Sequence, residues 1–321
     1  MKEPQLQILG LGTFTDQFAD AAALAEAVFH ACRPRPAPMN LQLAGEKAPS
    51  LSDKRFAWIG RALPPHPEQN FDSPDPVVQY AFAAIEQAWR AGGLDQSPIS
   101  RQRIGLVLLS RWGAIDSTAA YLESMFDADG RYASPLRFTR SVYSSVASLA
   151  AIHFHIHGPC ETLAHDAWIA TGVLERADDL LSNAQLDAVL VCWADQSSPL
   201  GIDLCDRAVR RLKRRELARY TRGDCGYGAV ALALTKPALR QRVQPSATSI
   251  APRLEVPAEA ALPAVRGRAP TAALATHPFP SDQSLRLAAA IIEASISAPA
   301  DEPVLWWEPA HHGRRRQVRI G

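Results

Sequence analysis

The sequence contains no hydrophobic run that is long enough to cross a membrane. Although 47% of its 321 residues are hydrophobic, no apolar stretch reaches the roughly 18 residues that a spanning helix requires. Charge of one sign is also missing, because 34 lysines and arginines balance 33 aspartates and glutamates and leave a net charge of +1. Nucleic acids and acidic membranes attract proteins with a strong positive field. The composition therefore predicts neither a membrane span nor a nucleic-acid partner.

Cysteines are few and widely spaced, and no two of them form the CxxC pair that is typical of zinc sites. An odd number of scattered cysteines is also unlike a disulfide framework. Residues 1–5 lack the character of a signal peptide. We therefore expect reduced thiols and a cytoplasmic protein. The five cysteines are Cys32, Cys160, Cys192, Cys205 and Cys225.

The glycine-rich motifs that bind phosphates are incomplete. Gly10-Leu11-Gly12 follows an apolar stretch, but Thr15 stands where the dinucleotide-binding fingerprint has its third glycine. We predict a tight turn there, at the end of the first strand. The glycine-rich segment 222–228 has no lysine for a P-loop. The sequence therefore predicts no cofactor.

Three alternating histidines, His153, His155 and His157, precede the central part of the chain. Histidines at this spacing bind a metal when the segment is extended, but no fourth ligand lies nearby in the sequence. We predict surface or interface histidines and no metal.

The most informative stretch combines a turn, a short strand, a bend and a helix. Gly158-Pro159 is a turn dipeptide, and Cys160–Ala164 is long enough for one strand. From Ala167 the apolar residues recur with helical spacing, and Asp166 can cap the start of that helix. Residues 186–193 form a second apolar strand. Strand, helix and strand in this order are typical of a βαβ unit with parallel strands.

The flanking sequence predicts further elements of the same sheet. An apolar stripe at helical spacing that ends at Gly92-Gly93 predicts a helix from Pro76. Consecutive hydrophobic residues within 103–110 predict a buried parallel strand. The other predicted elements are the strands 6–12 and 229–234 and the helices 116–126 and 142–153. We therefore predict an α/β fold in which residues 6–236 form a five-stranded, mostly parallel sheet with helices on both faces.

The order of these pieces resembles the β-ketoacyl synthase branch of the thiolase-like superfamily. The resemblance is carried by Gly10-Leu11-Gly12, the helix end 89–94, Gly158-Pro159, the strand 186–191 and the turn 222–229. Within the superfamily, the helix 166–174 and the short C-terminal part are most similar to the compact ketosynthase-like proteins of aryl-polyene and xanthomonadin-type clusters, some of them chain-length-factor-like.

The resemblance implies a thiolase-like, layered αβαβα architecture with a shortened second half. Residues 1–236 would form the ketosynthase-like N-terminal half and residues 237–321 the reduced C-terminal half. We expect the reduced half to form a smaller second sheet with a helix at 282–297, and the helix that begins near Ala167 to be buried between the two sheets.

The resemblance also implies where the catalytic groups would lie. Counting forward from Gly158-Pro159 and back from Asp187 places the family's cysteine nucleophile at Ala167, and alanine carries no nucleophile. Neither His277 nor His311 matches the family's catalytic histidines. No residue is therefore assigned as catalytic. The candidates for a relocated catalytic group are Cys160, His165 and Asp166, and the candidates for an acyl pocket are Ala167, Trp168 and Thr171.

Three functions remain open on these residues. In the first, the chain is a catalytically silent, chain-length-factor-like subunit that pairs with an active ketosynthase and shapes acyl binding in fatty acid, polyketide or aryl-polyene-type pigment biosynthesis. In the second, it is a 3-oxoacyl synthase-like enzyme whose acyl-transferring or condensing group has moved. In the third, it is a degenerate dimeric scaffold without an acyl ligand. Ala167 favours the first function and leaves enzyme activity undecided.

The resemblance further implies contacts with other proteins. In this fold the strand before the nucleophile pairs with its counterpart across a dimer axis, so we expect a homodimer, or a heterodimer with an active ketosynthase, with the three histidines close to the interface. The basic segment 206–219 is either a solvated helix face or a docking patch for an acidic acyl carrier protein. The dimer strand consists of Cys160, Glu161, Thr162, Leu163 and Ala164, and the docking candidates are Arg210, Arg211, Arg214 and Arg215.

Overall fold

The structure is a computed structural model of the 321-residue chain. It describes residues 5–15, 20–23, 37–38, 57–58, 75–127, 133–164, 169–183, 186–196, 200, 207, 210–211, 227–243, 253–255, 304–311 and 314–320. The helix predicted at 282–297 lies outside these residues. Among the described helices, none combines the length and the hydrophobicity that a membrane span requires.

One mixed sheet organises the described residues. Across the sheet its strands, numbered in chain order, are β5 (Cys160–Ala164), β4 (Ile104–Ser110), β6 (Ala188–Gln196), β7 (Tyr227–Thr235), β1 (Gln5–Thr15), β8 (Arg253–Glu255), β10 (Arg314–Ile320) and β9 (Val304–His311). β4 pairs in parallel with both β5 and β6, whereas β7 lies antiparallel between β6 and β1. Four of the first five strands therefore run in one direction, which confirms the predicted five-stranded, mostly parallel sheet. Its strands are β1 (Gln5–Thr15), β4 (Ile104–Ser110), β5 (Cys160–Ala164), β6 (Ala188–Gln196) and β7 (Tyr227–Thr235), while the short β2 (Ala37–Pro38) and β3 (Ala57–Trp58) pair only with each other.

Six α-helices have bounds within the described residues. The predicted helix from Pro76 is confirmed, and the helix predicted at 142–153 is present as Ser145–His153. A helix that was not predicted, Pro135–Ser141, precedes it, and Ser134 caps this helix by accepting a hydrogen bond from Arg137 N at 3.3 Å. The central helix is described from Ile169, and its predicted start near Ala167 lies outside the described residues. The helices are α1 (Pro76–Ala91), α2 (Ile115–Asp127), α3 (Pro135–Ser141), α4 (Ser145–His153), α5 (Ile169–Asn183) and α6 (Arg240–Val243).

Both faces of β4 are buried along its whole length, as its consecutive hydrophobic residues predict. Leu106 and Leu108 of β4 belong to a buried cluster that includes α1 and α4. Cys160 of β5 contacts the α4 carbonyl of Ala147 on this face, whereas the next residue, Glu161, is bonded to α5. Because successive side chains of a strand point to opposite faces, α4 and α5 lie on opposite sides of β5.

Gly10 and Gly12 do not form a turn, so the prediction of a tight turn there is wrong. β1 continues through both glycines to Thr15, and its partner is β7. An added Cβ at Gly10 would lie 2.5 Å from the backbone nitrogen of Gly92, and one at Gly12 would lie 2.8 Å from Ala88 N. The glycines therefore let the α1 backbone approach the strand closely, a requirement that arises only in the folded packing.

The strands of the C-terminal part extend this same sheet. β8 (Arg253–Glu255) pairs with Gln5–Gln7 of β1, and β10 (Arg314–Ile320) and β9 (Val304–His311) continue from it. Among the described residues, these strands do not form the separate second sheet that we expected, because β8 pairs with the outer edge of β1 and β10 and β9 pair in turn beyond it. α5 buries Val173, Leu174 and neighbouring side chains against β4 and β6.

Candidate functional site

The carboxyl ends of the parallel strands meet beside the bend between β5 and α5. Ser110, the last residue of β4, is in register with Ala164, the last residue of β5. β6 lies on the other side of β4 and ends at Gln196. Ligands of parallel α/β sheets bind beyond this edge, and the bend adds the start of a helix. This edge is therefore the candidate site.

The bend itself lies outside the described residues. Its four residues are His165, Asp166, Ala167 and Trp168, and Thr171 belongs to α5 with a side chain that is also outside the described set. The nucleophile-equivalent position, the candidate groups at 165 and 166 and the acyl-pocket candidates therefore stay predictions. The structure describes the strand that enters the bend and the helix that leaves it.

A buried carboxylate supports the turn that follows β4. The Oδ1 atom of Asp195 accepts hydrogen bonds from Ser110 Oγ at 3.1 Å and from Arg111 N at 2.7 Å, and Gly113 N donates to the Ser110 hydroxyl at 2.9 Å. The Tyr143 hydroxyl donates to the Ser110 carbonyl. Burial raises the pKa of Asp195, although Arg111 and the hydrogen bonds oppose this in part. The Ser110 hydroxyl both donates and accepts here, so it links the end of β6 to the turn after β4.

A second buried network fixes the start of α2 at the same end of the sheet. Asp75 is fully buried, and its two carboxylate oxygens accept hydrogen bonds from Asp116 N at 2.8 Å and Ser117 N at 2.9 Å. Gln196 donates to both Asp75 and Asp116 and accepts from Val77 N at 3.0 Å. A carboxylate at a helix start satisfies the unpaired N–H groups of the first turn. The network therefore ties α1, α2 and the end of β6 together.

An ion pair joins the strand before the bend to the helix after it. The guanidinium of Arg176 in α5 donates two hydrogen bonds to the Glu161 carboxylate of β5, at 2.7 and 2.5 Å. This bidentate contact holds the pKa of Glu161 below its usual range. Because Glu161 and Arg176 lie on either side of the bend, the pair limits how far β5 and α5 can move apart.

Cys160, a candidate for a relocated nucleophile, lies at the far end of β5 from the bend. Four residues of extended chain separate it from Ala164, a length of about 13 Å. Burial, and then the charge of Glu161, raise the pKa of the Cys160 thiol, and its sulfur contacts the Ala147 carbonyl oxygen at 3.5 Å. Only the thiolate is a strong nucleophile, so both the position and the pKa argue against a catalytic role.

The three histidines before β5 are spread over different environments. His153 stacks on Phe82 with ring centroids 5.3 Å apart, whereas His155 and His157 are exposed. His155 has a φ of 54°, and His157 N donates to the Arg101 carbonyl at 3.1 Å. No group of three histidine, cysteine or acidic side chains suited to a metal occurs in the described part of the chain.

Of the docking candidates, Arg210 and Arg211 are described and both are exposed and helical. Arg214 and Arg215 lie outside the described residues. The basic surface is therefore accessible at the two positions that the structure describes.

The supporting residues Asp75, Ser110, Asp195 and Gln196 were not predicted from the sequence. A weak signal exists for two of them, since Ser110 and Asp195 are polar residues at the ends of otherwise apolar strands. Nothing in the sequence links Asp75 to Gln196, because the two are brought together only by the sheet.

No family model and no curated protein matches the chain. Solved structures do match its fold. A structure of the ishigamide ketosynthase/chain length factor has a TM-score of 0.66 at 15% identity, with 98% of each chain covered. A type II PKS acyl-carrier protein in complex with its ketosynthase bound to the hexaketide, AntDE:AntF, gives a TM-score of 0.65 at 12% identity, with 99% of each chain covered.

A third similar structure is the ketosynthase ApeO in complex with its chain length factor ApeC from Xenorhabdus doucetiae. Its TM-score is 0.54 at 16% identity, covering 73% of this chain and 58% of that chain. These similarities agree with the strand order and the helices on both faces of the sheet. The chain therefore has the thiolase-like α/β fold of the ketosynthases and chain length factors.

Proposed function

We propose that the protein is a catalytically silent β-ketoacyl-synthase-like subunit, similar to chain length factors, that pairs with an active ketosynthase. In this role it shapes acyl binding during fatty acid, polyketide or aryl-polyene-type pigment biosynthesis. The observation that carries the proposal is Ala167 at the position where the resemblance puts the nucleophile. A methyl group cannot form the thioester on which condensation depends.

The edge strand β5 supports pairing with another chain. β5 is the last strand of its sheet, so within the described residues its outer edge pairs with no other strand. Exposed strand edges are normally covered or blocked. Five of the six large hydrophobic side chains that are exposed among the described residues lie between β4 and β5, namely Leu122, Phe126, Leu136, Phe138 and Ile152. Their concentration in the segment that leads to the edge strand favours a partner surface there.

The described fold also favours a role for the ends of β4, β5 and β6 as one wall of an acyl pocket. The Asp75 and Asp195 networks hold the segments that follow these strands, and the pair Glu161–Arg176 holds the helix after the bend. Ala167, Trp168 and Thr171 would face this wall. The surface of Arg210 and Arg211, extended by Arg214 and Arg215, would receive an acidic acyl carrier protein.

The proposal keeps the division of the chain into a ketosynthase-like half, residues 1–236, and a reduced half, residues 237–321. It also places the protein in the cytoplasm, where acyl carrier proteins deliver their substrates. Cys160 and Cys192 are free thiols in the described structure, as a reducing compartment favours.

The test is the intact mass of the isolated chain after incubation with an acyl thioester. We expect no covalent adduct, and we expect the variant Ala167→Cys to gain one acyl group as the matched positive control. A stable adduct on the wild-type chain at Cys160 or Cys225 would overturn the silent-subunit proposal in favour of a relocated nucleophile.

A further inference from the structure

In the described structure, α4 begins without a side-chain cap. The first turn of a helix leaves N–H groups that have no acceptor within the helix, and the residue before the helix commonly accepts one of them with its side chain. Ser144 holds this position in α4, but its side chain accepts no such hydrogen bond. Ser144 is exposed, so this end of the helix reaches the surface of the described structure.

The starts of α1, α2 and α3 are satisfied by protein groups. The side-chain oxygen of Gln196 accepts from the first turn of α1, Asp75 accepts from that of α2, and Ser134 accepts from that of α3. Ser134 shows that a serine before a helix can cap it in this protein. Ser144 is the same residue type in the same position, and its hydroxyl remains available for a different contact.

A buried hydroxyl at the same helix end is an independent observation. Ser145, the first residue of α4, is 4% exposed, and its Oγ atom has no hydrogen-bond partner in the described structure. Side chains of a helix tilt toward its amino terminus, so the hydroxyl of the first residue lies at the end that carries the uncapped N–H groups. A buried hydroxyl without a partner costs free energy, and a bound acceptor would remove that cost.

The charge around this helix end favours an anion. Residues 133–157 contain Arg137 and Arg140 and neither aspartate nor glutamate. The helix dipole adds a partial positive charge at the amino terminus. The carboxylates of the neighbouring networks, Asp75 and Asp195, are buried and already bonded to backbone N–H groups. Backbone N–H groups and hydroxyls at a helix start are the donors that bind phosphate in many proteins.

This helix end lies at the edge of the sheet that holds the candidate site, but not at the bend. The hydroxyl of Tyr143, two residues before Ser145, donates to the carbonyl of Ser110 at the end of β4. The bend joins β5 to α5, and α4 and α5 lie on opposite sides of β5. A ligand at the start of α4 would therefore lie beside the candidate acyl pocket and outside it.

We propose that the amino-terminal end of α4 binds a phosphate group through the N–H groups of its first turn and the hydroxyls of Ser144 and Ser145. Phosphate fits better than a carboxylate, because its oxygens point in several directions and accept from both kinds of donor. The group comes either from free phosphate or from a larger molecule that carries a phosphate ester, such as a phosphopantetheine arm. The site goes beyond the proposed function, since it uses neither Ala167 nor the edge strand β5.

Isothermal titration calorimetry of the full chain with inorganic phosphate tests the site, with sodium chloride of the same ionic strength as the blank. We expect saturable binding that Ser145→Ala weakens about tenfold, because a hydrogen bond to a charged acceptor is lost. Ser148→Ala is the matched control, since Ser148 is exposed on the same helix and should bind phosphate like the parent chain.

Ser144→Asp supplies a second variant that does not remove a donor from the core. Its carboxylate would cap the N–H groups itself and repel the ligand. We expect this variant to lose phosphate binding and to melt at a higher temperature than the parent chain without phosphate. Retained binding by Ser144→Asp would contradict the assignment to this helix end.

Titrations with 4′-phosphopantetheine and with pantetheine distinguish the two sources. Tighter binding of 4′-phosphopantetheine than of phosphate, with no binding of pantetheine, would assign the site to a phosphopantetheine arm, and equal binding would assign it to free phosphate. No saturable binding of either phosphate compound, or a Ser145→Ala variant that binds like the parent chain, would overturn the site. Because acylation and ketosynthase binding are measured separately, that failure would leave the proposed function standing.

Discussion

Replacing Gly12 by alanine should destabilise the protein through a clash between β1 and α1. The added Cβ would lie 2.8 Å from Ala88 N and closer still to the Ala84 carbonyl oxygen, whereas ordinary contact begins at 3.4 Å. These are main-chain atoms of a helix with ten buried residues, so no side-chain rotation relieves the clash. Overpacking costs about 1–3 kcal/mol, and removing a glycine returns only about 0.4–1 kcal/mol through the unfolded chain. We therefore expect the free energy of unfolding to fall by about 1–2 kcal/mol.

Gly172 provides the matched control, because the same substitution there should have the opposite sign. Gly172 lies within α5, and among the described residues no atom outside its own stretch of helix lies within 4 Å of the Cβ that alanine would add. Alanine should therefore raise the free energy of unfolding by about 0.5–1 kcal/mol. Urea denaturation followed by far-UV circular dichroism measures both variants. If Gly12→Ala were as stable as wild type, close approach of α1 would not explain the glycines of β1.

The remaining predictions concern the edge strand and the bend. Thr162→Pro removes an outward N–H group without disturbing the hydrogen bonds to β4, so the mass measured by light scattering should fall from twice the 34.9 kDa chain mass to that of a monomer. Thr162→Ser should stay dimeric, and a Thr162→Pro variant that also stays dimeric would contradict the pairing. Because the pKa of Glu161 is lowered, its ion pair with Arg176 stabilises the fold at pH values above the usual glutamate pKa, and this stability is lost as the pH falls through the lowered pKa. Glu161→Gln should therefore lower the free energy of unfolding by about 0.2–1 kcal/mol near pH 7 and leave it unchanged in strong acid. Urea titrations that give the same difference at every pH would disprove this. Ala167→Cys should accept an acyl group but not condense it, because no matching histidine pair is evident; a condensed product in a chromatographic assay would show otherwise.

The sequence predicts elements best where a local signal marks both ends. The bounds of β5 were predicted because Gly158-Pro159 precedes the strand and a polar bend follows it, and the α1 stripe ends at a glycine pair. The glycines of β1 were misread because their role depends on residues 84–92, at the end of α1, which lie more than 70 positions later in the chain. Glycine in sequence indicates a need for space or for an unusual φ, and only the packing distinguishes the two.

The candidate site was predicted only in part, for a related reason. The bend was located from the strand and helix patterns and from the resemblance. Its supports, Asp75, Asp195 and Gln196, come from distant positions and meet only when β4, β6 and the helices pack together. Buried carboxylates look like surface residues in a sequence, because their burial depends on backbone N–H donors that carry no sequence signal.

The most direct test of the central claim is the intact mass of each subunit after co-expression with an active ketosynthase and incubation with an acyl thioester. The account predicts a complex of one copy of each chain, with one acyl group on the ketosynthase and none on this chain. An acyl group on this chain, or failure of the two chains to associate, would contradict the claim that it is a silent partner subunit.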